Sequence, residues 1–120
     1  MEINKSSHGN IPLLSLKGRF DAHEVIPVRD WLKEQSDSGQ VRLVVNLAEV
    51  NFVDSSALST LVQGLKHCRE KGGDLSLCNL QQPVRVIFEL TRLDKAFTIY
   101  TDEKSAFQDQ PGSEPNKHAF

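Results

Sequence analysis

The chain has 120 residues, of which 38% are hydrophobic and 25% charged, a composition ordinary for a single soluble globular domain. Its 14 basic and 16 acidic residues give a net charge of −2, and neither sign forms a long run, which argues against binding to nucleic acid or to an anionic membrane surface. The apolar runs are too short to span a membrane, and residues 1–10 contain no apolar segment typical of a secretion signal. Cys68 and Cys78 have no CxxC spacing, so we expect two reduced cysteines in a cytoplasmic protein.

The first half of the chain predicts two strands, a helix and a third strand. Residues 2–6 form a weak strand, and a tight turn at Gly9 leads into a stronger strand that ends near Gly18. A helix is expected to begin at Pro27, because a proline has no N–H group to leave unpaired at a helix start. Residues 43–47 are the short apolar run typical of a strand buried on both faces.

The second half predicts alternating helices and strands. A helix is indicated by four apolar residues with helical spacing, Leu58, Leu61, Val62 and Leu65. Gly72 is well placed to end that helix in a left-handed conformation. Strands over residues 74–78 and 96–100 follow, separated by a third helix that starts at Pro83. Asp102 can cap a short last helix, and the polar composition from residue 108 to residue 120 predicts a disordered tail.

Two strands followed by three helix–strand alternations predict one α/β domain over residues 1–107, with a mixed, mostly parallel sheet of about five strands and about four helices. In such sheets, functional residues usually lie at the carboxyl ends of the strands. Asp54, Ser55 and Ser56 lie at such an end, directly before the second helix. Asp and Ser also cap helices, so plain capping is the alternative interpretation of these three residues.

No catalytic site can be assembled from these residues. The four histidines are scattered without the spacing of metal ligands, and residues 72–73 follow a helix, whereas the glycines of a phosphate-binding loop precede one. Residues 53–57 do not match the GxSxG sequence of a serine hydrolase, and Asp54 lacks the acidic pair that a phospho-accepting aspartate needs. What remains is a serine hydroxyl at a helix N-terminus, where a phosphoryl group from another enzyme would be well tolerated.

Several segments, in this order and spacing, carry a resemblance to a known family. They are KGRFDA at residues 17–22, LVVNL and FVDSSAL at 43–47 and 52–58, GG and LCN at 72–73 and 77–79, and PVRVIFELTRLD at 83–94. In these segments the chain resembles the STAS domains of the bacterial anti-sigma factor antagonist family, over about residues 2–107. The resemblance implies the STAS fold and a binding module without enzyme activity, cofactor or metal.

The resemblance also implies which residues act and on what partners. It places the phosphorylated serine directly after the aspartate, at Ser55, although residue chemistry alone does not separate Ser55 from Ser56. Asp21, Asp54, Ser55, Ser56 and Ala57 are then the expected partner-binding residues. The implied partners are an anti-sigma factor with serine kinase activity, bound by the unphosphorylated form, and a metal-dependent serine/threonine phosphatase. We expect a cytoplasmic monomer that binds neither nucleic acid nor membrane.

Two other functions stay open at this point. A single-domain STAS subunit of an ABC-type lipid transport complex is one, although the corresponding residue there resembles threonine more than serine. A small hydrolase that uses Ser55 is the other. The chain also departs from the family pattern, with Ala57 where glycine is frequent and Arg19-Phe20 in place of an acidic-apolar pair, which bears on partner identity.

Overall fold

The computed structural model describes residues 1–39 and 42–108, which form a five-stranded sheet and four α-helices. The strands are β1 (Glu2–His8), β2 (Ile11–Phe20), β3 (Arg42–Val53), β4 (Asp74–Cys78) and β5 (Thr98–Tyr100). The helices are α1 (Val25–Asp37), α2 (Ser55–Glu70), α3 (Gln82–Leu90) and α4 (Glu103–Gln108), and a short 3-10 helix, Leu93–Lys95, precedes β5. Gln108 ends α4, and the rest of the predicted tail lies outside the described residues.

The strands lie in the sheet in the same order as in the chain. β1 pairs antiparallel with β2 through a turn in which Gly9 has a φ of +61°. The pairs from β2 to β5 are all parallel, which confirms the predicted mixed, mostly parallel α/β fold. Phe20 at the end of β2 is in register with Val53 at the end of β3, so the loops that follow these strands emerge side by side.

The core lies mainly between one face of the sheet and helices α1, α2 and α3. A smaller apolar cluster on the opposite face includes Ala106 of α4. Neighbouring residues of β3 point to opposite faces, and Val45 belongs to the main core while Val44 belongs to the smaller cluster. Both are almost fully buried, which confirms the prediction of a strand buried on both faces.

Several element boundaries differ from the sequence-based predictions. β1 runs to His8 instead of residue 6, and β5 covers only Thr98–Tyr100 of the predicted residues 96–100. β3 covers Arg42–Val53, well beyond the apolar run of residues 43–47. β2 continues past Gly18 to Phe20, because Gly18 adopts a φ of +111° at an irregularity in the pairing with β3. α1 begins at Val25, two residues before Pro27. Pro27 is tolerated there because the N–H groups of the first helical turn have no partner within the helix.

The buried face of α2 is rotated from the predicted stripe. Leu61 and Leu65 are buried as expected, whereas Leu58 and Val62 are only partly buried. The remaining buried positions of the helix are Ala57, Thr60, Gly64 and Cys68. Small residues carry much of this face because α2 packs closely on α1 and on the sheet.

Gly72 ends α2 as predicted. Its φ is +87°, its N–H donates to the carbonyl of Arg69, and the N–H of Gly73 donates to the carbonyl of Cys68. This pair of hydrogen bonds is a Schellman ending. Cys68 and Cys78 are both free and buried, and burial raises the pKa of Cys68 to about 11 and that of Cys78 to about 12.

Candidate functional site

Asp54 lies between the end of β3 and the start of α2. It is the N-cap of α2, with an extended backbone, and Ser55 is the first helical residue. One carboxylate oxygen of Asp54, Oδ1, accepts a hydrogen bond of 2.9 Å from the N–H of Ala57. Asp54 therefore satisfies one of the free N–H groups of the first turn, and the alternative interpretation of Asp54 as a helix cap holds for this residue.

The same side chain also holds the loop that follows β2. Its second oxygen, Oδ2, accepts a hydrogen bond of 2.9 Å from the N–H of Ala22. The backbone N–H of Asp54 donates to the carbonyl of Phe20 over 3.4 Å. The start of α2 and the loop between β2 and α1 consequently form one connected surface at the carboxyl ends of β2 and β3.

Asp54 carries a negative charge at neutral pH. The hydrogen bond from the Ala57 N–H is the largest cause that lowers the pKa of Asp54 below the ordinary value of 3.8. Desolvation opposes it, and weaker hydrogen bonds from Ala22 and Ser56 lower the pKa further. Ser55 is thus presented next to a fixed carboxylate. Any charge added to Ser55 stands beside this one.

The three residues after Asp54 have very different exposure. Ser55 is exposed, Ser56 is half-buried, and Ala57 is fully buried. Successive helical residues point about 100° apart, so only one of the three can point directly away from the sheet. The Ser55 hydroxyl is the one that a modifying enzyme can reach most easily.

The partner contact predicted at Ala57 cannot be made by its side chain. Its methyl group packs in the main core and has no exposed surface, so its side chain cannot touch a partner. Its N–H group donates to Asp54, and this is its contribution to the site.

Asp21 lies on the adjoining loop and is half-buried. Its Oδ1 accepts a hydrogen bond of 3.0 Å from the N–H of His23, which gives the loop its turn. Its Oδ2 lies 3.8 Å from Nε of Arg19, whose guanidinium stacks 3.9 Å from the centre of the Phe52 ring. Asp21 thus serves the loop structure, and the family departure at Arg19 is part of the exposed surface beside it.

One contributor to this surface was not found from the sequence. The backbone N–H of Ala22 binds Asp54, and nothing in an alanine indicates such a role. Ile26, in the first turn of the helix that follows this loop, is a large apolar residue that is 56% exposed. The predicted helix start at Pro27 left Ile26 outside the helix, whereas α1 begins at Val25.

We expect the Asp54→Asn variant to lower the melting temperature by roughly 5 °C at pH 7. Asparagine keeps one acceptor for Ala57 but presents an amide to Ala22 and removes the charge. Because the pKa of Asp54 is lower in the folded state than in the unfolded chain, its stabilisation is complete above the unfolded value and disappears as the pH falls through the folded value. The difference between the two proteins should therefore vanish at acid pH.

Thermal unfolding followed by circular dichroism at pH 7, 5 and 2.5 measures this difference. Asp30→Asn removes an exposed carboxylate of α1 and should change the melting temperature little at any of these pH values. Asp37 and Asp102 also have lowered pKa values. The largest cause is the hydrogen bond from His67 for Asp37 and the hydrogen bond from the Ser105 N–H for Asp102. The unmodified domain and the Asp54→Asn variant therefore both lose stability in acid. A difference that persists unchanged at pH 2.5 would contradict the role of the Asp54 charge.

Comparison with known proteins identifies the family. The family model described as STAS domain matches residues 2–106. The chain belongs to the STAS domain family. It is 28% identical over 107 residues to the anti-sigma F factor antagonist of Paenibacillus polymyxa, covering 88% of this chain and 92% of that protein. It is 23% identical over 108 residues to the anti-sigma-B factor antagonist of Bacillus subtilis, covering 90% of this chain and 98% of that protein.

Solved structures of STAS proteins share the fold. A putative anti-sigma factor antagonist from Thermotoga maritima matches with a TM-score of 0.83 at 20% identity, covering 88% of this chain and 92% of that one. The phosphorylated form of the Bacillus cell fate determinant SpoIIAA matches with a TM-score of 0.72 at 18% identity, covering 89% of this chain and 98% of that one. Within the described part of this STAS domain, no group of three or more His, Cys, Asp or Glu side chains could hold a metal ion, and no helix has the length and apolar character to cross a membrane.

Proposed function

We propose that this STAS domain is an anti-sigma factor antagonist that is switched by phosphorylation of Ser55. In its unphosphorylated form it binds an anti-sigma factor with serine kinase activity and so releases the sigma factor for transcription. A metal-dependent serine/threonine phosphatase returns the modified domain to the binding form. The observation that carries this proposal is the exposed hydroxyl of Ser55 at the first helical position of α2, beside the ordered Asp54.

The position of Ser55 suits a reversible phosphate. The N-terminus of a helix favours negative charge, and a phosphoserine adds about −1.5 to −2 charges there. Asp54 already contributes one negative charge, so phosphorylation concentrates roughly three negative charges at the start of α2. A partner surface that fits a neutral hydroxyl would have to desolvate all of them.

The partner surface that we propose combines the start of α2 with the loop after β2. Ser55 and Ser56 contribute hydroxyl groups, while Asp54 and Asp21 contribute carboxylates that also hold the two segments in place. Because Asp54 bonds to both segments, a partner meets a preformed surface and loses little entropy in ordering it.

The names of the relatives support the class of partner, since those in Paenibacillus polymyxa and Bacillus subtilis are antagonists of anti-sigma factors. The alternative of a lipid-transport subunit is not favoured by these relatives. We further propose that the domain acts in the cytoplasm as a monomer and binds without catalysing a reaction. Labelling of Ser55 in the folded protein by a fluorophosphonate probe would contradict the absence of hydrolase activity.

Phosphate mapping tests the site. The domain is incubated with the anti-sigma factor kinase of the same organism and ATP, and the modified residue is located by mass spectrometry. We expect modification at Ser55, full loss of incorporation in Ser55→Ala, and retained incorporation in the matched variant Ser56→Ala. Modification confined to Ser56, Ser59 or Thr60 would overturn the assignment of Ser55.

A further inference from the structure

A groove separate from Ser55 lies between α1 and α2. It encloses about 280 Å³, with Leu32, Thr60 and Gly64 among the residues that line it, together with the cationic or titratable side chains of Arg29, Lys33 and His67. Ser55 and Asp54 are not among the residues that line it. The groove therefore belongs to a different surface from the proposed phosphorylation site.

The floor of the groove is buried and closely packed. Leu32 is 3% exposed and Thr60 is 8% exposed, and the Thr60 hydroxyl donates to the carbonyl of Ser56. A Cβ atom at Gly64 would lie only 2.7 Å from Cδ1 of Leu32, so a larger residue there would require the Leu32 side chain to move. With its hydroxyl already bonded, Thr60 adds little polarity, and the floor offers a mainly apolar contact.

The upper part of the groove is positively charged. Arg29 and Lys33 are four residues apart on α1 and so lie on the same side of that helix. None of the described residues that line the groove is acidic. Arg29 lies 3.6 Å from Asp30, but both side chains are more than half exposed, and such a pair neutralises the charge only weakly. His67 is directed to Asp37, which leaves Arg29 and Lys33 as the main cations.

We propose that this groove binds a small amphipathic anion, with a carboxylate or phosphate head and a short apolar body. The body would lie over Leu32 and Gly64, and the head would lie between Arg29 and Lys33. The volume is slightly below the roughly 300–1,000 Å³ of typical ligand pockets, so the ligand is the size of a short acyl chain or a single ring system.

Titration with octanoate, followed by ¹H–¹⁵N NMR of the full chain, tests the proposal. We expect saturable shifts of the amide signals of Gly64 and Thr60, with smaller shifts elsewhere. 1-Octanol has the same chain length without the charge and should bind at least about fivefold more weakly, because it cannot pair with the cations. Equal binding of the two probes, or shifts that do not centre on the groove, would overturn the proposal.

Charge reversal supplies the matched comparison. The double variant Arg29→Glu/Lys33→Glu should weaken octanoate binding at least about tenfold, through the loss of two ion pairs and added repulsion. Lys66→Glu makes the same kind of change at an exposed position of α2 that does not line the groove, and it should leave the affinity within about twofold, since salt screens more distant charges. Lys33→Glu alone carries the test if the double variant does not fold, with an expected weakening of about threefold. Unchanged affinity in these variants would overturn the proposal.

Discussion

Ser55→Glu should weaken binding to the anti-sigma factor about a hundredfold, whereas Ser55→Ala should bind nearly as well as the unmodified domain. Ser55 is exposed in the free domain, so either side chain is fully hydrated before binding. A complementary contact around the start of α2 removes water from position 55. A methyl group loses little there, but an unpaired charge held away from water costs several kcal/mol.

The nearby charge of Asp54 should increase the difference in affinity between Ser55→Ala and Ser55→Glu. Its carboxylate is fixed by the N–H groups of Ala57 and Ala22 and cannot turn away from a glutamate at position 55. A partner must therefore accommodate two adjacent negative charges. Even a penalty of about 2.7 kcal/mol corresponds to a hundredfold change in the dissociation constant.

Isothermal titration calorimetry with the purified anti-sigma factor measures both affinities. Ser59→Glu is the matched control, because Ser59 is also exposed on α2 but lies one turn beyond the helix start. It should weaken binding much less than Ser55→Glu. Equal affinities for Ser55→Ala and Ser55→Glu would contradict a switch that acts by blocking the contact.

The structure of the domain should not change in this switch. A negative charge at a helix N-terminus is stabilised by roughly 0.3–1 kcal/mol, and repulsion from Asp54 opposes that gain. The phosphorylated and unphosphorylated forms should therefore have nearly superimposable far-UV circular dichroism and melting temperatures within a few degrees. Widespread loss of amide protection in the sheet after phosphorylation would show a conformational switch instead.

Phe20→Ala should have the largest effect on stability, a loss of about 3–5 kcal/mol in the free energy of unfolding. The Phe20 ring is fully buried in the main core at the end of β2, where the removal of its six ring carbons leaves a cavity. A typical domain of this size has a free energy of unfolding of about 5–15 kcal/mol, so the variant would lose a large part of it. The carbonyl of Phe20 also accepts the N–H of Asp54, so local relaxation would disturb the site.

Urea denaturation of both proteins measures this loss, with the slope of the transition expected to stay the same. Phe52→Ala is the matched control, since Phe52 is a half-exposed phenylalanine of β3 that is covered by Arg19. Its loss should be about 1 kcal/mol. Similar losses for the two variants would mean that Phe20 does not hold the end of β2 in the core as the structure shows.

Local chemistry in the sequence was enough to define most of the elements. The apolar run of residues 43–47, the glycine at position 72 and the cap at Asp54 each depend on neighbours within a few residues, so their roles could be predicted without a fold. The alternation of helices and strands then defined the parallel sheet, because only a few topologies connect such elements. The placement of Asp54 and Ser55 at the carboxyl end of a strand followed from that topology.

The tertiary structure decided what those residues contact and which of them a partner can reach. The bond between Asp54 and Ala22 joins positions 32 residues apart, and no local pattern specifies it. The exposure of Ser55 and the burial of Ala57 depend on how α2 is rotated against the sheet. That rotation is set by packing of the whole core, including the close approach of Gly64 to Leu32, and side-chain packing of this kind exists only once distant segments have met.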